Sequence, residues 1–204
     1  MIEKINEHYF SNTYDTKKRF ISYWHQINEI IKTNPKNILE IGAGNKFVSI
    51  YLKQKNFNVT TVDINPNLEP DVVANVIKMP FKNNSFHTVN CCETLEHMPY
   101  ENFSKALSEI YRVAEFHAVI SIPDITKILH VPYILQKYAD KFFKKAIPRD
   151  LDKHYWEIGK KMYPLSRIIK DIKHTGFIVV SSYNVPENLY HKFFILKKIK
   201  KHLL

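Results

Sequence analysis

The 204-residue chain has few cysteines, few arginines and no long apolar run. Its two cysteines, Cys91 and Cys92, are adjacent, so they could join only in a strained ring and offer no disulfide framework. Its longest apolar stretches, such as 118–122, have the length of a strand, whereas a membrane span needs about 18–20 apolar residues. The first residues mix both charge signs and lack the apolar core of a secretory signal. These absences exclude a disulfide-stabilised module and a transmembrane protein, and they predict a cytoplasmic protein with one core.

Charge is distributed unevenly along the chain. Residues 1–124 carry 13 Lys and Arg against 14 Asp and Glu, whereas residues 125–204 carry 17 against 6. Because 26 of the 30 basic residues are Lys, one interpretation is compositional, as codon usage in an AT-rich genome would produce. The other is a surface that meets an anionic substrate, a nucleic acid or a lipid headgroup. The sequence leaves both open.

Apolar strand-like segments alternate with amphipathic segments. The pattern predicts helices over 15–32, 46–55, 101–114 and 165–174. It predicts strands over 37–41, 58–64, 71–76, 87–92, 117–123, 176–184 and 189–196, the last two as an antiparallel pair. The first helix is expected to bury one apolar face, formed by Phe20, Tyr23, Trp24, Ile27, Ile30 and Ile31. This alternation indicates an α/β fold with a parallel sheet covered by helices on both faces.

Glycine is also scarce, with four in the chain against about 7% in ordinary proteins. Two of them, Gly42 and Gly44, follow the first predicted strand. A turn from a buried strand into a helix N-terminus lets a ligand approach the backbone and meet unpaired N–H groups. Asp63 ends the second strand, where a carboxylate can accept hydrogen bonds from a ribose diol. This arrangement predicts a cofactor loop; the alternative is a simple turn with Asp63 capping its own loop.

The residues around this loop distinguish two classes of cofactor. A dinucleotide fingerprint needs a third glycine, and Phe47 occupies that position. Glu40 stands two residues before the first glycine, where a buried carboxylate gains a partner from a cationic ligand. The loop therefore disfavours NAD and favours S-adenosylmethionine, which has an ammonium and a sulfonium group.

Several segments together resemble the class I S-adenosylmethionine-dependent methyltransferases, in particular the family with the type 11 pattern. The resemblance covers residues 36–124, through Leu39–Gly44, Val62–Ile64, Met79–Phe81, Asn84–Phe86, Glu93–Pro99 and Ile122–Asp124. It implies a Rossmann-like, doubly wound sheet of seven strands, mostly parallel with an antiparallel last strand. It also implies an enzyme that transfers a methyl group from S-adenosylmethionine.

The resemblance further implies which residues contact the cofactor. These are Glu40, Gly42 and Gly44 at the methionine part, Asp63 and Ile64 at the ribose, Asn75 and Val76 near the adenine, and Cys92 close by. The chain departs from the family at three positions. The family often has glycine where this chain has Lys46, commonly has an acid at Asn75, and usually has Asp at His87. An amide at Asn75 still offers both an acceptor and a donor to adenine.

The segment after the fourth strand contains residue types that ligate metals. Glu93 and His97 lie four residues apart, but the sequence shows no third ligand nearby, so no metal site is predicted. Glu96 and His97 either line the pocket or hold the loop. Cys92 has no identifiable basic partner and is predicted to be a small buried residue instead of a nucleophile.

A second cluster, His154–Gly159, combines ionisable groups, aromatic residues and a glycine. A hydroxyl acceptor must lose a proton as the methyl group arrives, and His154 or Glu157 is predicted to be the catalytic base. The alternative is that Tyr155 and Trp156 pack on the core while His154 and Glu157 cap helix ends. This block and the ending 186–194 resemble small methyltransferases often found near glycan and cell-envelope genes.

The chain contains no repeat or flexible linker, so a single methyltransferase domain over 1–204 is expected. Its parts are a helical cap over 1–35, a cofactor-binding core over 36–124, a helical acceptor-side insertion over 125–163, and the last helix and strand pair over 164–204. Residues 125–148 predict a basic amphipathic lid, with an apolar stripe opposite Lys137, Lys141, Lys144 and Lys145.

The acceptor is not encoded in a recognisable motif. We expect a small-molecule, saccharide or lipid-linked acceptor that is methylated at oxygen. The basic C-terminal third favours an anionic acceptor and peripheral contact with an anionic membrane. An RNA methyltransferase is the alternative that the basic C-terminal third favours, although four Arg and no RNA-binding module weaken it. A non-catalytic S-adenosylmethionine-binding protein is a third interpretation.

Overall fold

The computed structural model describes residues 9–11, 13–126 and 154–199. Seven strands form one sheet in the order β3-β2-β1-β4-β5-β7-β6. They are β1 (Ile38–Ile41), β2 (Val59–Asp63), β3 (Val72–Val73), β4 (Phe86–Cys92), β5 (Ala114–Pro123), β6 (Phe177–Val185) and β7 (Asn188–Lys198). Neighbours from β3 to β5 pair in parallel, and β7 is antiparallel to β5 and β6. The expected sheet with an antiparallel last strand is confirmed.

Helices cover both faces of this sheet, as expected. Those with described bounds are α1 (Lys17–Lys32), α2 (Phe47–Gln54), α3 (Phe103–Val113) and α4 (Leu165–His174). Side chains of α1 and α2 share one buried cluster with Ile38 of β1, and those of α3 and α4 share the other with the adjacent Leu39. Successive residues of a strand point to opposite faces, which is why a continuous apolar strand serves two helical layers. Within the described ranges, no helix is long and apolar enough to cross a membrane.

Two element boundaries differ from the prediction by three residues. The third strand was expected over 71–76 but contains only Val72 and Val73, because the chain turns at Asn75, whose Oδ1 accepts a hydrogen bond from Ile77 N at 3.1 Å. The fifth strand begins earlier than expected, at Ala114, directly where α3 ends.

The prediction of an apolar buried face on α1 was wrong in part. Tyr23 and Ile30 are buried, but Trp24 is 59% exposed. The other buried side chains are polar, namely Ser22, Gln26 and Glu29. Each has a polar partner on the sheet: His191 Nδ1 at 2.7 Å from Ser22 Oγ, Asn90 Nδ2 at 3.2 Å from Gln26 Oε1, and Tyr183 Oη at 3.3 Å from Glu29 Oε1. Because polar groups of the sheet need hydrogen bonds when a helix covers them, α1 turns these three polar side chains towards the sheet, beside Tyr23 and Ile30.

The predicted lid lies almost entirely outside the described residues. Ile125 and Thr126, its first two residues, are not helical. Ile125 N donates to the Ile158 carbonyl at 3.0 Å, and Asp124 forms a parallel bridge with Ile158. This pairing places the segment 154–159 beside the end of β5.

Candidate active site

Two adjoining cavities open at the carboxyl ends of the parallel strands, where ligands bind in sheets of this kind. One cavity, of about 150 Å³, is lined by Glu40, Gly44, Cys92 and His154 among others, and we call it the methionine-side cavity after the part of the cofactor expected there. The other cavity, of about 220 Å³, is lined by Asp63, Ile64, Asn75 and Val76 among others, and we call it the adenosine-side cavity for the same reason. Gly42 and Glu93 line both. All eight residues expected to contact a cofactor therefore lie around one continuous cleft.

The glycine loop connects β1 to α2 in a backbone conformation that favours glycine. Gly42 has φ of +73° and Gly44 has φ of +53°. A Cβ at Gly42 would overlap the side chain of Thr94, and one at Gly44 would lie 3.0 Å from the Tyr9 ring. The loop is thus held close to its neighbours and leaves its backbone open towards the cleft.

Lys46 adopts the left-handed conformation, with φ of +60°, which explains why glycine is common there in the family. Its Nζ donates to the Glu69 carbonyl at 3.1 Å on the protein surface. The side chain therefore points away from the cleft, and its charge does not oppose a cationic cofactor.

Glu40 is a buried carboxylate of the cleft with a perturbed pKa. It is 5% exposed, and among the described residues its Oε2 has no hydrogen-bond partner. Burial raises the pKa of Glu40 to about 7, although Ser49 and Lys53 act in the opposite direction. A buried carboxyl group in this state gains most from a cationic ligand, which supplies the missing partner.

Asp63 caps its loop and also lines the adenosine-side cavity. Its Oδ1 accepts a hydrogen bond from Asn65 N at 2.9 Å and caps the loop after β2. Its Oδ2 lies 3.5 Å from Gly44 N, a long contact that leaves acceptor capacity. Because Asp63 also lines the adenosine-side cavity, it can cap the loop and still accept from hydroxyl groups of a ligand.

The remaining residues of the adenosine-side cavity suit a flat apolar group with a polar edge. Ile64 is 66% exposed and Val76 is buried, and both line the cavity. The Oδ1 of Asn75 is engaged by Ile77 N, so its amide NH₂ group is the part that remains for a ligand.

Cys92 lines the methionine-side cavity as a buried thiol. Its Sγ donates to Asn90 Oδ1 at 3.2 Å, and burial raises its pKa well above the ordinary value. A thiol in this state is a poor nucleophile, which agrees with the prediction.

The two predicted catalytic residues are in direct contact. His154 Nδ1 lies 2.8 Å from Glu157 Oε1, and the hydroxyl of Tyr190 donates to the same oxygen at 2.7 Å. Burial by itself would raise the pKa of Glu157, but the hydrogen bonds from His154 and Tyr190 and the charge of Lys160 lower it to about 2. Glu157 is therefore ionised at neutral pH and orients the imidazole. His154 lines the methionine-side cavity, and Glu157 lies behind it.

The aromatic pair of this segment is divided between core and surface. Trp156 is fully buried, and its Nε1 donates to the Met98 carbonyl at 3.1 Å. Tyr155 is 53% exposed. The packing alternative is thus correct for Trp156 alone, and it does not account for the contact between His154 and Glu157.

The structure brings further residues to the site, beyond the predicted cofactor-binding and catalytic ones. Glu96 is fully buried, and its Oε1 lies 3.9 Å from His97 Nε2 and 4.0 Å from His154 Nε2. His191 Nε2 lies 3.4 Å from Glu93 Oε2. Tyr190, from the segment 186–194, also lines the cavity, and further lining residues that had no sequence signal are Tyr9, Tyr14, Arg19 and Ser22.

Comparisons with known proteins were made for sequence and for structure. Residues 39–121 match the family described as "Methyltransferase domain". An uncharacterized protein of Methanocaldococcus jannaschii is 32% identical over 159 residues, which are 74% of this chain and 60% of that protein. The chain thus spans about three fifths of the length of this curated relative.

Two solved structures are similar over most of both chains. Magnesium protoporphyrin IX methyltransferase from Synechocystis PCC 6803, with bound S-adenosylhomocysteine, has a TM-score of 0.66 at 14% identity, over 97% of this chain and 99% of that one. The 1,6-didemethyltoxoflavin-N1-methyltransferase of Burkholderia thailandensis, with its namesake compound and S-adenosylhomocysteine bound, has a TM-score of 0.57 at 14% identity, over 89% and 86%. At these identities the likeness establishes the fold.

Proposed function

We propose that the chain is an S-adenosylmethionine-dependent methyltransferase that acts on a small-molecule acceptor, because residues 39–121 match the methyltransferase domain family and the fold is that of solved methyltransferases with bound S-adenosylhomocysteine. The observation that supports this most is the pair of carboxylates on the two sides of Gly42. Glu40 lies in one cavity, where no described residue partners its Oε2, and Asp63 lies in the other. A ligand with a cation at one end and a ribose in the middle satisfies both.

The residues present fit S-adenosylmethionine along the whole cleft. Glu40 and the N–H groups of the glycine loop would hold the amino-acid end, and Asp63 the ribose hydroxyls. Ile64 and Val76 would pack on the adenine, and the Asn75 amide would contact its edge. When bound, the cofactor supplies an already activated methyl group. The protein chiefly has to orient the acceptor, which can contribute roughly 7–11 kcal/mol of the barrier.

His154 and Glu157 are the residues we assign to the acceptor. With Nδ1 held by Glu157, the imidazole presents Nε2 to the methionine-side cavity, where it can take a proton from an acceptor hydroxyl. Glu157 stabilises the imidazolium that results. Oxygen is the acceptor atom that this pair suits, because a hydroxyl keeps its proton at neutral pH until a base removes it.

For the acceptor we propose an anionic small molecule, saccharide or lipid-linked intermediate. The two solved structures named above are of methyltransferases that are named for small-molecule substrates. The excess of basic residues in 125–204 supports a negative acceptor or an anionic membrane nearby. Replacing Lys141, Lys144 and Lys145 with Gln tests this. At low salt, the triple variant should have a higher Michaelis constant for an anionic acceptor or a lower affinity for anionic vesicles. An unchanged triple variant would leave the charge excess compositional.

Two measurements test the proposed function. Calorimetric titration should give saturable binding of S-adenosylhomocysteine and none of NAD; the opposite result would overturn the proposal. Incubation with methyl-labelled cofactor and separate metabolite, lipid and RNA extracts then identifies the acceptor class. Label in RNA alone would establish the RNA methyltransferase alternative, and cofactor binding with no labelled product in any extract would favour a non-catalytic binding protein.

A further inference from the structure

Three side chains of metal-ligating type converge on the methionine-side cavity. Glu96 Oε1 lies 3.9 Å from His97 Nε2 and 4.0 Å from His154 Nε2, and the three ligand atoms all lie within 4.8 Å of one another. Glu96 is fully buried, whereas the His97 side chain is 39% exposed and that of His154 is 16% exposed. The group is thus reached from the cleft on the imidazole side.

The spacing of these atoms suits a small cation. A point equidistant from three atoms so separated lies about 2.4 Å from each, and shifts of about 0.3–0.4 Å would bring them to zinc–ligand distances. Two imidazoles and one carboxylate form a three-ligand set of the kind found at catalytic zinc sites, where a fourth position stays open. That position would face the cavity.

The neighbours of His154 hold it in the orientation that a ligand needs. Its Nδ1 contacts Glu157 Oε1 at 2.8 Å, so a proton on Nδ1 is bound by a carboxylate and the lone pair of Nε2 faces Glu96. Metal-ligating histidines usually have this carboxylate partner on their other nitrogen.

The backbone fixes the two segments that supply the ligands. Glu96 and His97 lie in the short 3₁₀ helix Leu95–His97 after β4. Tyr155 N donates to the Glu96 carbonyl at 2.9 Å, which ties the residue after His154 to this helix. This backbone hydrogen bond therefore fixes His154 relative to Glu96 and His97.

The charges of the cavity favour a cation. Its described lining contains the carboxylates of Glu40, Glu93 and Glu96, against Arg19 as the one Lys or Arg side chain. A dication beside Glu96 would offset this excess at the acceptor side, while Glu40 meets the cofactor.

From this geometry we propose that Glu96, His97 and His154 bind one divalent transition-metal ion, with zinc as the best-suited ion for imidazole and carboxylate ligands. The inference goes beyond the proposed function, because ion binding requires neither cofactor nor turnover. The ion occupies the same Nε2 lone pair that acts as the base in the metal-free protein. In the loaded protein, coordination to the ion would lower the pKa of an acceptor hydroxyl in the open position, and its proton would pass to solvent water instead of to His154.

The test is metal binding by the full chain after removal of metals with a chelator. Calorimetric titration with zinc should give one saturable site, and cobalt(II) should give visible absorption of a low-coordinate site. His97→Ala and His154→Ala should abolish that site. Glu157→Gln should weaken zinc binding by about 10- to 100-fold, because it loosens the hold on His154. His174→Ala, an exposed histidine on α4, is the matched control and should bind zinc as the wild type does.

Each variant is first required to match the wild type in thermal melting and in S-adenosylhomocysteine affinity. Glu96→Gln, which preserves the shape of the buried side chain, provides a second route if an alanine variant is unfolded, and it too should lose the site. Absence of saturable zinc binding, or zinc binding unchanged in folded His97 and His154 variants, would overturn the inference. S-adenosylhomocysteine binding stands apart from these results, so failure of the metal site leaves the proposed function intact.

Discussion

The hydroxyl of Tyr190 donates a 2.7 Å hydrogen bond to Glu157 Oε1 and so joins the last strand to the segment that contains His154. Tyr190 precedes His191, which contacts Glu93 at the end of β4. The antiparallel strand β7 thus supplies two side chains to the acceptor side of the cleft. The last strand of the chain therefore also holds Glu157 and Glu93 in place at the cleft.

The first prediction concerns the pH dependence of cofactor binding. Burial raises the pKa of Glu40 to about 7, with Ser49 and Lys53 as the neighbours that oppose this shift. Below pH 7 the carboxyl group is neutral and attracts the cofactor ammonium less. S-adenosylhomocysteine affinity should therefore fall as pH decreases from 8 to 6, by at most about tenfold per unit. Glu40→Gln should bind more weakly with little pH dependence; a wild-type affinity that is flat over this range would contradict the role of Glu40.

The same group predicts how stability depends on pH in the cofactor-free protein. A carboxyl group whose folded pKa is above its ordinary value of 4.5 stabilises the fold below pH 4.5, and this contribution is lost as pH rises through about 7. The free energy of unfolding of wild type relative to Glu40→Gln should therefore decrease between pH 5 and pH 8, by up to about 3 kcal/mol. Urea titrations of both proteins at the two pH values measure it, and an equal difference at both would refute it.

The third prediction concerns the ribose. Asp63→Ala removes a charged acceptor, so S-adenosylhomocysteine binding should weaken by about 1.5–3 kcal/mol for each hydrogen bond lost. Glu69→Gln changes an exposed acid on the same loop and should leave the affinity unchanged. Calorimetry on both variants separates the two outcomes. Wild-type affinity in Asp63→Ala would reduce Asp63 to its loop-capping contact with Asn65 N.

The fourth prediction concerns the glycine loop. Gly42→Ala would place a Cβ into the Thr94 side chain at a φ of +73°, so the loop must move and cofactor binding should be lost. The double variant Gly42→Ala with Thr94→Gly removes the overlapping atoms and should regain part of the affinity. If the single variant binds S-adenosylhomocysteine normally, close packing of the loop is not required for the site.

The fifth prediction separates acceptor chemistry from cofactor binding. In the metal-free enzyme, His154→Ala should lower kcat by about 10²- to 10⁴-fold, and Glu157→Gln should lower it less. S-adenosylhomocysteine affinity should stay within about threefold of wild type in both, because neither residue is assigned to the cofactor. Tyr155→Phe, an exposed neighbour, is the control with wild-type turnover. A loss of melting temperature with unchanged kcat per folded molecule would make the pair structural.

Local patterns in the sequence were sufficient for the sheet and for bringing the expected cofactor-binding residues to one cleft. Apolar runs define strands such as Val59–Asp63, and the positions of Gly42 and Asp63 at strand ends follow from a parallel topology. The contact of Glu96 with His154 was not predictable, because it depends on the pairing of Asp124 with Ile158 across the insertion. The orientation of α1 was also missed: its apolar residues suggested one face, but partners on distant strands determine that Ser22 and Gln26 are buried.

Trp156 and Trp24, the two tryptophans of the chain, lie in opposite environments, fully buried and 59% exposed. In a Trp24→Phe protein, the remaining indole emission would come from Trp156, two residues from His154. Its Nε1 is bonded to the Met98 carbonyl, so displacement of the 154–159 segment would expose it to solvent and shift its emission to longer wavelength. The fold therefore contains its own fluorescent reporter for events at the acceptor side, one that needs no attached dye.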